Sequence, residues 1–242
     1  MTALVTATDL AIAGRLERSS LKLAAGEMVC LVGPNGSGKS SLLAALAGIP
    51  PATGEVRIGG EDPAGKHPDQ RQRLLAFLPA SRELNWPVKA ADVMALSLPP
   101  GGNWQQLVAP LQLERLLERR VDTLSTGERT RVLIARVLAP GARLLLLDEP
   151  IANLDPYWQL VALEKLRSAA RDEGKAVLVA IHDLRLARQW GDRLMVMDRG
   201  RIVADGPPAD VERSDVLSQV FGVAWTGGEW RLSPSADRQS SR

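Results

Sequence analysis

Residues 28–48 read MVCLVGPNGSGKSSLLAALAG, and this stretch decides the fold. Met28 to Val32 is a continuous apolar run, the pattern of a strand buried on both faces. Gly33-Pro34-Asn35-Gly36-Ser37-Gly38-Lys39-Ser40 then satisfies the spacing G-x-x-x-x-G-K-[ST] in full. Ser40 to Ala47 follows as a helix rich in Leu and Ala that stops at Gly48. A glycine loop between a buried strand and a helix lets the backbone curl, so that several N–H groups point at one phosphate chain. The helix start adds the positive end of its dipole. Lys39 is placed to reach the β- and γ-phosphates, and the Ser40 hydroxyl to ligate Mg²⁺. Cys30 is the one cysteine of the chain, which excludes an internal disulfide. It reads as a small buried hydrophobe of the strand.

Further along, Leu144 to Pro150 reads LLLLDEP. Burying the four leucines places Asp148 and Glu149 at the C-terminal edge of the sheet, where open α/β sheets bind ligands. Asp148 is expected to hold Mg²⁺ through its water shell. Glu149 is expected to polarise an attacking water as general base. Ala176 to Ile181 is another buried strand, and it delivers His182 to the same edge, where a neutral imidazole can contact a γ-phosphate. A helix over Pro156 to Arg171 links the two strands as a βαβ crossover, and Arg193 to Met197 reads as a further strand. Toward the N-terminus, residues 1–27 read as short strands and turns. Thr53 to Gly60 reads as a hairpin strand between glycine turns, and Leu74 to Leu78 as a short apolar run. His67, in a polar run, is left to solvent.

The pattern changes between about Ser81 and Leu138. Helical periodicity appears at Ala90 to Leu98, Leu107 to Arg119 and Glu128 to Leu138. In the third helix Val132, Ile134, Ala135 and Leu138 face inward, with Arg129, Arg131 and Arg136 more exposed. This predicts a helical insertion within an α/β core. Leu124-Ser125-Thr126-Gly127-Glu128 opens the third helix. The Ser125 hydroxyl, the Gly127 backbone and the helix N-terminus form a second anion-binding surface.

Composition sets outer bounds. Hydrophobic residues make up 45% and charged residues 24%, an ordinary globular balance. A net charge of +2 gives no argument for a nucleic-acid partner. No apolar stretch approaches the ~20 residues that span a bilayer. The start, MTALVTATDLAIAG, carries Asp9 and no basic residue, a poor signal peptide. The chain is therefore expected to be soluble by itself, with any membrane role arising through partners. The polar tail 232–242 is expected to be disordered.

Taken together, these motifs resemble the nucleotide-binding subunit of ATP-binding cassette (ABC) transporters, over about residues 3–225. In that family they correspond in order to Walker A (Gly33 to Ser41), the signature (Leu124 to Glu128), Walker B (Leu144 to Glu149), the D-loop (Ala152-Asn153-Leu154-Asp155) and the switch histidine (His182). The resemblance implies a P-loop NTPase of α/β class. A RecA-like core with a mixed sheet would span about 1–80 and 139–231, and a helical subdomain about 81–138. It implies ATP and Mg²⁺ at Gly33 through Ser41, with Ser40 and Asp148 on the metal. Lys39, Glu149 and His182 would then be catalytic. It also implies head-to-tail pairing with a second copy, whose bound ATP is closed over by Ser125, Gly127 and Asp155. Partners would be integral membrane permease subunits and, indirectly, a substrate-binding protein, at the cytoplasmic face of the cell membrane.

The segments 205–211 and 216–223 resemble the ATPases of iron-siderophore, haem and vitamin B12 importers. An exporter or lipoprotein-release ATPase and a soluble non-transport ABC ATPase are the alternatives. Three departures from the family stand out. Thr126 replaces the usual glycine of the signature. Leu78-Pro79-Ala80 stands where the family has Leu-Pro-Gln, with Ser81 or Glu83 as candidate substitutes. Residues 1–32 contain no Phe, Tyr or Trp to stack on adenine, so base stacking is either weaker or comes from an arginine such as Arg15 or Arg18, and the base is expected to be poorly selected. Trp86 is a candidate either for an anchor to the membrane subunit or for core packing. Trp158 and Trp190 fit helix-core positions.

Overall fold

The computed structural model describes residues 3–81, 87–98, 102–226 and 229–232. The first third of the chain forms β1 (Ala3–Ile12), β2 (Leu16–Ala24), β3 (Met28–Val32), α1 (Lys39–Leu46), β4 (Thr53–Ile58), α2 (Pro68–Leu74) and β5 (Leu75–Leu78). Then come α3 (Ala90–Ala95), α4 (Thr126–Leu138), β6 (Leu144–Asp148), α5 (Pro156–Arg171) and β7 (Ala176–Ala180). The chain continues with α6 (Leu184–Trp190), β8 (Arg193–Asp198), β9 (Arg201–Gly206), α7 (Pro208–Arg213), α8 (Val216–Phe221), β10 (Val223–Thr226) and β11 (Glu229–Leu232).

A six-stranded sheet in the order β5-β6-β7-β3-β8-β9 forms the centre. Its first five strands are parallel, and β9 returns antiparallel beside β8. The sheet is mixed, as expected for this chain. All five residues of β3, of β6 and of β7 are buried. The two-residue period of a strand divides them between two cores. Met28, Cys30 and Val32 face the side packed by α4, α5 and α6, together with Leu145, Leu147, Val177 and Val179. Val29 and Leu31 face α1 and the antiparallel sheet β2-β1-β4, together with Leu144, Leu146 and Leu178. A continuous apolar run is thus what a central strand needs when both faces are covered.

Several local expectations change. The first strands are long, 10 and 9 residues. β4 is not a self-contained hairpin strand: it pairs antiparallel with β1, Val5 opposite Ile58. The segment Leu107 to Arg119 is not one helix but a succession of short turns. Pro110 disfavours helix at Ala109 and lacks an N–H. The first turn closes with Leu113 N–H donating to Val108 O (2.9 Å), Gln112 N–H donating to Ala109 O (3.1 Å) and Gln112 left-handed at φ 48. That is the Schellman pattern of a helix end. The leucines still point inward: Leu111, Leu113 and Leu116 are buried.

The arginines of α4 are also less solvated than their pattern suggests. Arg131 stacks over the Trp158 ring at 4.1 Å and donates to Leu111 O (2.6 Å) and Gln112 O (3.1 Å). Arg136 donates to Ser97 Oγ (3.1 Å). Trp158 and Trp190 pack partly buried against the core. Glu83, Trp86 and the tail 233–242 lie outside the described residues. Among the described residues no helix is long and apolar enough to cross a membrane.

Candidate active site

The loop after β3 is shaped by its glycines. A Cβ on Gly33 would stand 2.5 Å from Met197 O and 2.5 Å from Ser37 Oγ, so only glycine fits there. Gly38 adopts φ 101, a conformation that L side chains avoid, and a Cβ there would stand only 3.1 Å from Arg15 O. α1 then begins with no side chain capping its first turn. Its leading N–H groups are left for a ligand.

Lys39 is only 5% exposed. Its Nζ donates to Gly33 O (2.8 Å) and Pro34 O (3.0 Å), which folds the amine back over the loop. Burial lowers its pKa, while the charges of Glu149 and Asp148 act in the opposite direction. An ammonium held this way is ready to exchange carbonyl acceptors for phosphate oxygens. The cleft beside it has a volume of about 890 Å³. Residues 35–41 line it together with the Gly14–Glu17 turn, Glu149, Arg199 and Gly200. Its size and its row of backbone amides suit a nucleoside triphosphate.

Asp148 ends β6 and is 2% exposed. With the exposed Ser40 hydroxyl it offers hard oxygen donors of the kind Mg²⁺ takes. No cluster of three or more acidic, His or Cys ligands occurs among the described residues.

Glu149 follows in a left-handed conformation, φ 52, with its N–H donating to Ala180 O (3.2 Å). This uncommon backbone turns its carboxylate out of the sheet, and Glu149 both lines the cleft and contacts His182 Nε2 through Oε1. β6 and β7 are neighbours, so their C-terminal ends bring these two side chains together. Asp183 caps α6, accepting from Arg185 N–H (2.7 Å) and Leu186 N–H (3.3 Å), and so fixes the chain just after His182. Cys30 lies in the core beneath. Burial first, and then the Asp192 charge, push its thiol up to about 12.

The Ser125 turn lies outside this cleft. Ser125 is the N-cap of α4 in a full capping box: its Oγ accepts from Glu128 N–H (3.2 Å), and Glu128 Oε2 accepts from Ser125 N–H (2.8 Å). Hydrogen bonds from the Ser125 backbone and then from its side chain hold the Glu128 carboxyl below the usual range, helped by Arg119 at 3.0 Å. At Gly127 the fold itself does not demand glycine, since its φ is not positive and an added Cβ would meet Asn153 O at an ordinary 3.5 Å. Asp155 also lies outside the cleft and caps α5, accepting from Trp158 N–H (3.1 Å).

Of the residues singled out in the sequence, the structure gathers Asn35 to Ser41 and Glu149 around one cleft, with His182 against Glu149. Gly33 and Pro34 shape the loop from behind. Arg15 lines the cleft and Arg18 does not. The Arg199-Gly200 turn and Glu17 are cleft residues that the sequence motifs do not single out. A signal for the turn is present in Asp198-Arg199-Gly200-Arg201, a glycine turn after a strand.

A profile of the ABC transporter family matches residues 16–152. The hemin import ATP-binding protein HmuV of Nocardia farcinica is 41% identical over 217 residues, covering 85% of this chain and 75% of that protein. HmuV of Bordetella parapertussis is 41% identical over 222 residues, covering 84% and 85%. Among solved structures, an ATP-binding subunit of an ABC transporter superposes with a TM-score of 0.75 at 26% identity, covering 87% of this chain and 92% of that one. The dimeric bacterial cassette MJ0796 superposes with a TM-score of 0.75 at 24% identity, covering 84% and 98%.

Proposed function

The chain belongs to the ABC transporter family, as an ATPase domain, and from that premise we propose that it powers import of a metal chelate, with haem as the cargo. The relatives' names carry the cargo. The observation that carries the mechanism is the separation of two anion-binding surfaces: the phosphate loop lines a cleft that the Ser125 turn does not reach.

Residues 35–41 and Lys39 hold the phosphates of ATP, and Ser40 with Asp148 holds Mg²⁺, which neutralises phosphate charge when bound. Glu149 accepts a proton from the attacking water, and His182 positions that carboxylate and contacts the γ-phosphate. The Ser125 hydroxyl and the start of α4 close over the phosphates bound by a second copy, with the turn at Asp155 beside them. Gly127 is then explained from outside the chain, because close approach of the partner's phosphate excludes a side chain. Loss of the γ-phosphate weakens this contact, and that difference between two states drives movement of the partner membrane permease. A substrate-binding protein would deliver the chelate to the permease. The dimer would sit on the cytoplasmic face, attached through the permease. We also assign the core to about 1–80 and 139–231 and a helical subdomain to about 81–138, which is supported by the packing of α3 against α4.

Glu149→Gln should bind ATP normally and hydrolyse it about 10²–10⁴-fold more slowly, the usual worth of a general base. Hydrolysis at the wild-type rate would remove Glu149 from the role. For the cargo, a host lacking this gene should fail to grow on haem as sole iron source, and wild type but not Glu149→Gln should restore growth. Unimpaired growth of the deletion strain would refute haem import.

A further inference from the structure

The phosphate loop follows β3, so a nucleotide must lie across the end of that strand. The sheet order puts β6, with Glu149, on one side of β3, and β8 and β9, joined by Arg199-Gly200, on the other. With the terminal phosphate toward Glu149, the base points toward the β8–β9 turn and the β1–β2 turn beside it. Beyond the loop, that end of the cleft is lined by Gly14, Arg15, Leu16, Glu17, Arg199 and Gly200, with no aromatic ring among them.

The backbone at this end is fixed. Asp198-Arg199-Gly200-Arg201 is a two-residue hairpin turn with φ 46 and 79 at its centre, the left-handed pair of a type I′ turn. Gly200 N–H donates to Ser37 O (2.9 Å), and Glu17 N–H donates to Gly200 O (2.9 Å). Arg15 O lies 3.1 Å from where a Cβ on Gly38 would stand and 3.2 Å from the same point on Gly200. Both arginine backbones are therefore held against the phosphate loop. Their side chains remain in solvent: Arg15 is exposed, and the Arg199 side chain is 92% exposed, 3.9 Å from Asp198. Glu17, the one acidic lining residue at this end, is engaged by Arg201 at 2.6 Å.

We propose that Arg15 and Arg199 form a guanidinium platform for the nucleotide base, so that the site accepts adenine and guanine nucleotides with little preference. A guanidinium is planar and stacks on a π face. Every base has such a face, and a face contact does not read the donors and acceptors on the base edge. Strong selection requires hydrogen bonds to that edge. The proposal rests on the cleft being a nucleotide site, as argued above.

The test is equilibrium binding of ADP, GDP and pyrophosphate, with Mg²⁺, to the full chain, which avoids turnover. Wild type should bind ADP and GDP within about threefold of each other. Arg15→Ala with Arg199→Ala should weaken both nucleotides about tenfold, two exposed cation–π contacts' worth, and leave pyrophosphate within about twofold. Arg15→Trp in the Arg199→Ala background should recover much of the loss, since a ring replaces the platform. Unchanged nucleotide affinity in the double variant would overturn the platform. So would an equal loss for pyrophosphate, which would make the arginines phosphate ligands, or a wild-type preference for ADP above about thirtyfold. If wild type bound neither nucleotides nor pyrophosphate, the nucleotide site itself would fall, and the platform with it.

Discussion

One pair of substitutions separates the capping role of Ser125 from the phosphate role proposed for it. Within the chain it caps α4, its Oγ accepting from Glu128 N–H at 3.2 Å. Across the proposed dimer its hydroxyl faces a phosphate. Ser125→Ala removes both, and loss of an N-cap costs about 1 kcal/mol, a drop of roughly 2–4 °C in Tm for a chain of this size. Ser125→Asp keeps the cap, because a carboxylate also accepts from Glu128 N–H and suits the helix dipole. Its melting temperature should stay at or above that of Ser125→Ala. Toward a phosphate it is far worse. A unit charge about 4 Å from another, at an effective dielectric near 20, costs about 4 kcal/mol, roughly 10³ in affinity. Ser125→Asp should therefore be the better-folded variant and the poorer ATPase. The assays are a thermal melt, steady-state phosphate release, and sedimentation with ATP in a Glu149→Gln background, where the closed dimer should accumulate and Ser125→Asp should abolish it. A Ser125→Asp chain that dimerises with ATP and hydrolyses it at the wild-type rate would refute the placement of this turn against phosphate.

Two further predictions concern stability and reactivity. The Glu128 carboxyl is depressed in the fold by the Ser125 backbone hydrogen bond, so its contribution to stability is present above the unfolded carboxylate pKa and is lost as pH falls through the lower folded value. Glu128→Gln, which keeps the acceptor, should flatten stability against pH below about pH 4.5; an unchanged acid limb in chemical denaturation would show that the capping carboxylate does not contribute. Cys30 should be inert to thiol reagents in the native chain at pH 8, with burial pushing its thiol up to about 12, and should react fully in denaturant; rapid native labelling would contradict its burial under the sheet.

The local motifs are legible because each is a short run whose chemistry is carried by neighbouring residues. Gly33 to Ser40 supplies loop, amine and hydroxyl within eight positions, and Leu144 to Glu149 combines a buried strand with the two carboxylates at its end. The failures come where neighbours do not decide. Leu107 to Arg119 has a helical pattern of leucines, yet Pro110 and a left-handed Gln112 break it while leaving the leucines buried. Arg131 reads as a solvent-facing charge, because nothing nearby in sequence announces the Trp158 ring it stacks on, 27 positions later.

The sequence by itself determined the strand, glycine loop and helix of the phosphate site, the sheet-edge carboxylates and the family that they resemble. Only the tertiary structure decided what lies beside them. The order β6-β7-β3-β8 brings Glu149 to one side of the loop and the Arg199-Gly200 turn to the other, and β1–β2 brings in Arg15 from the opposite end of the chain. It also keeps the Ser125 turn out of its own chain's cleft. Strand order and the docking of one turn on another are set by long-range burial, and a pattern of local periodicity carries no record of which distant segments will share a face.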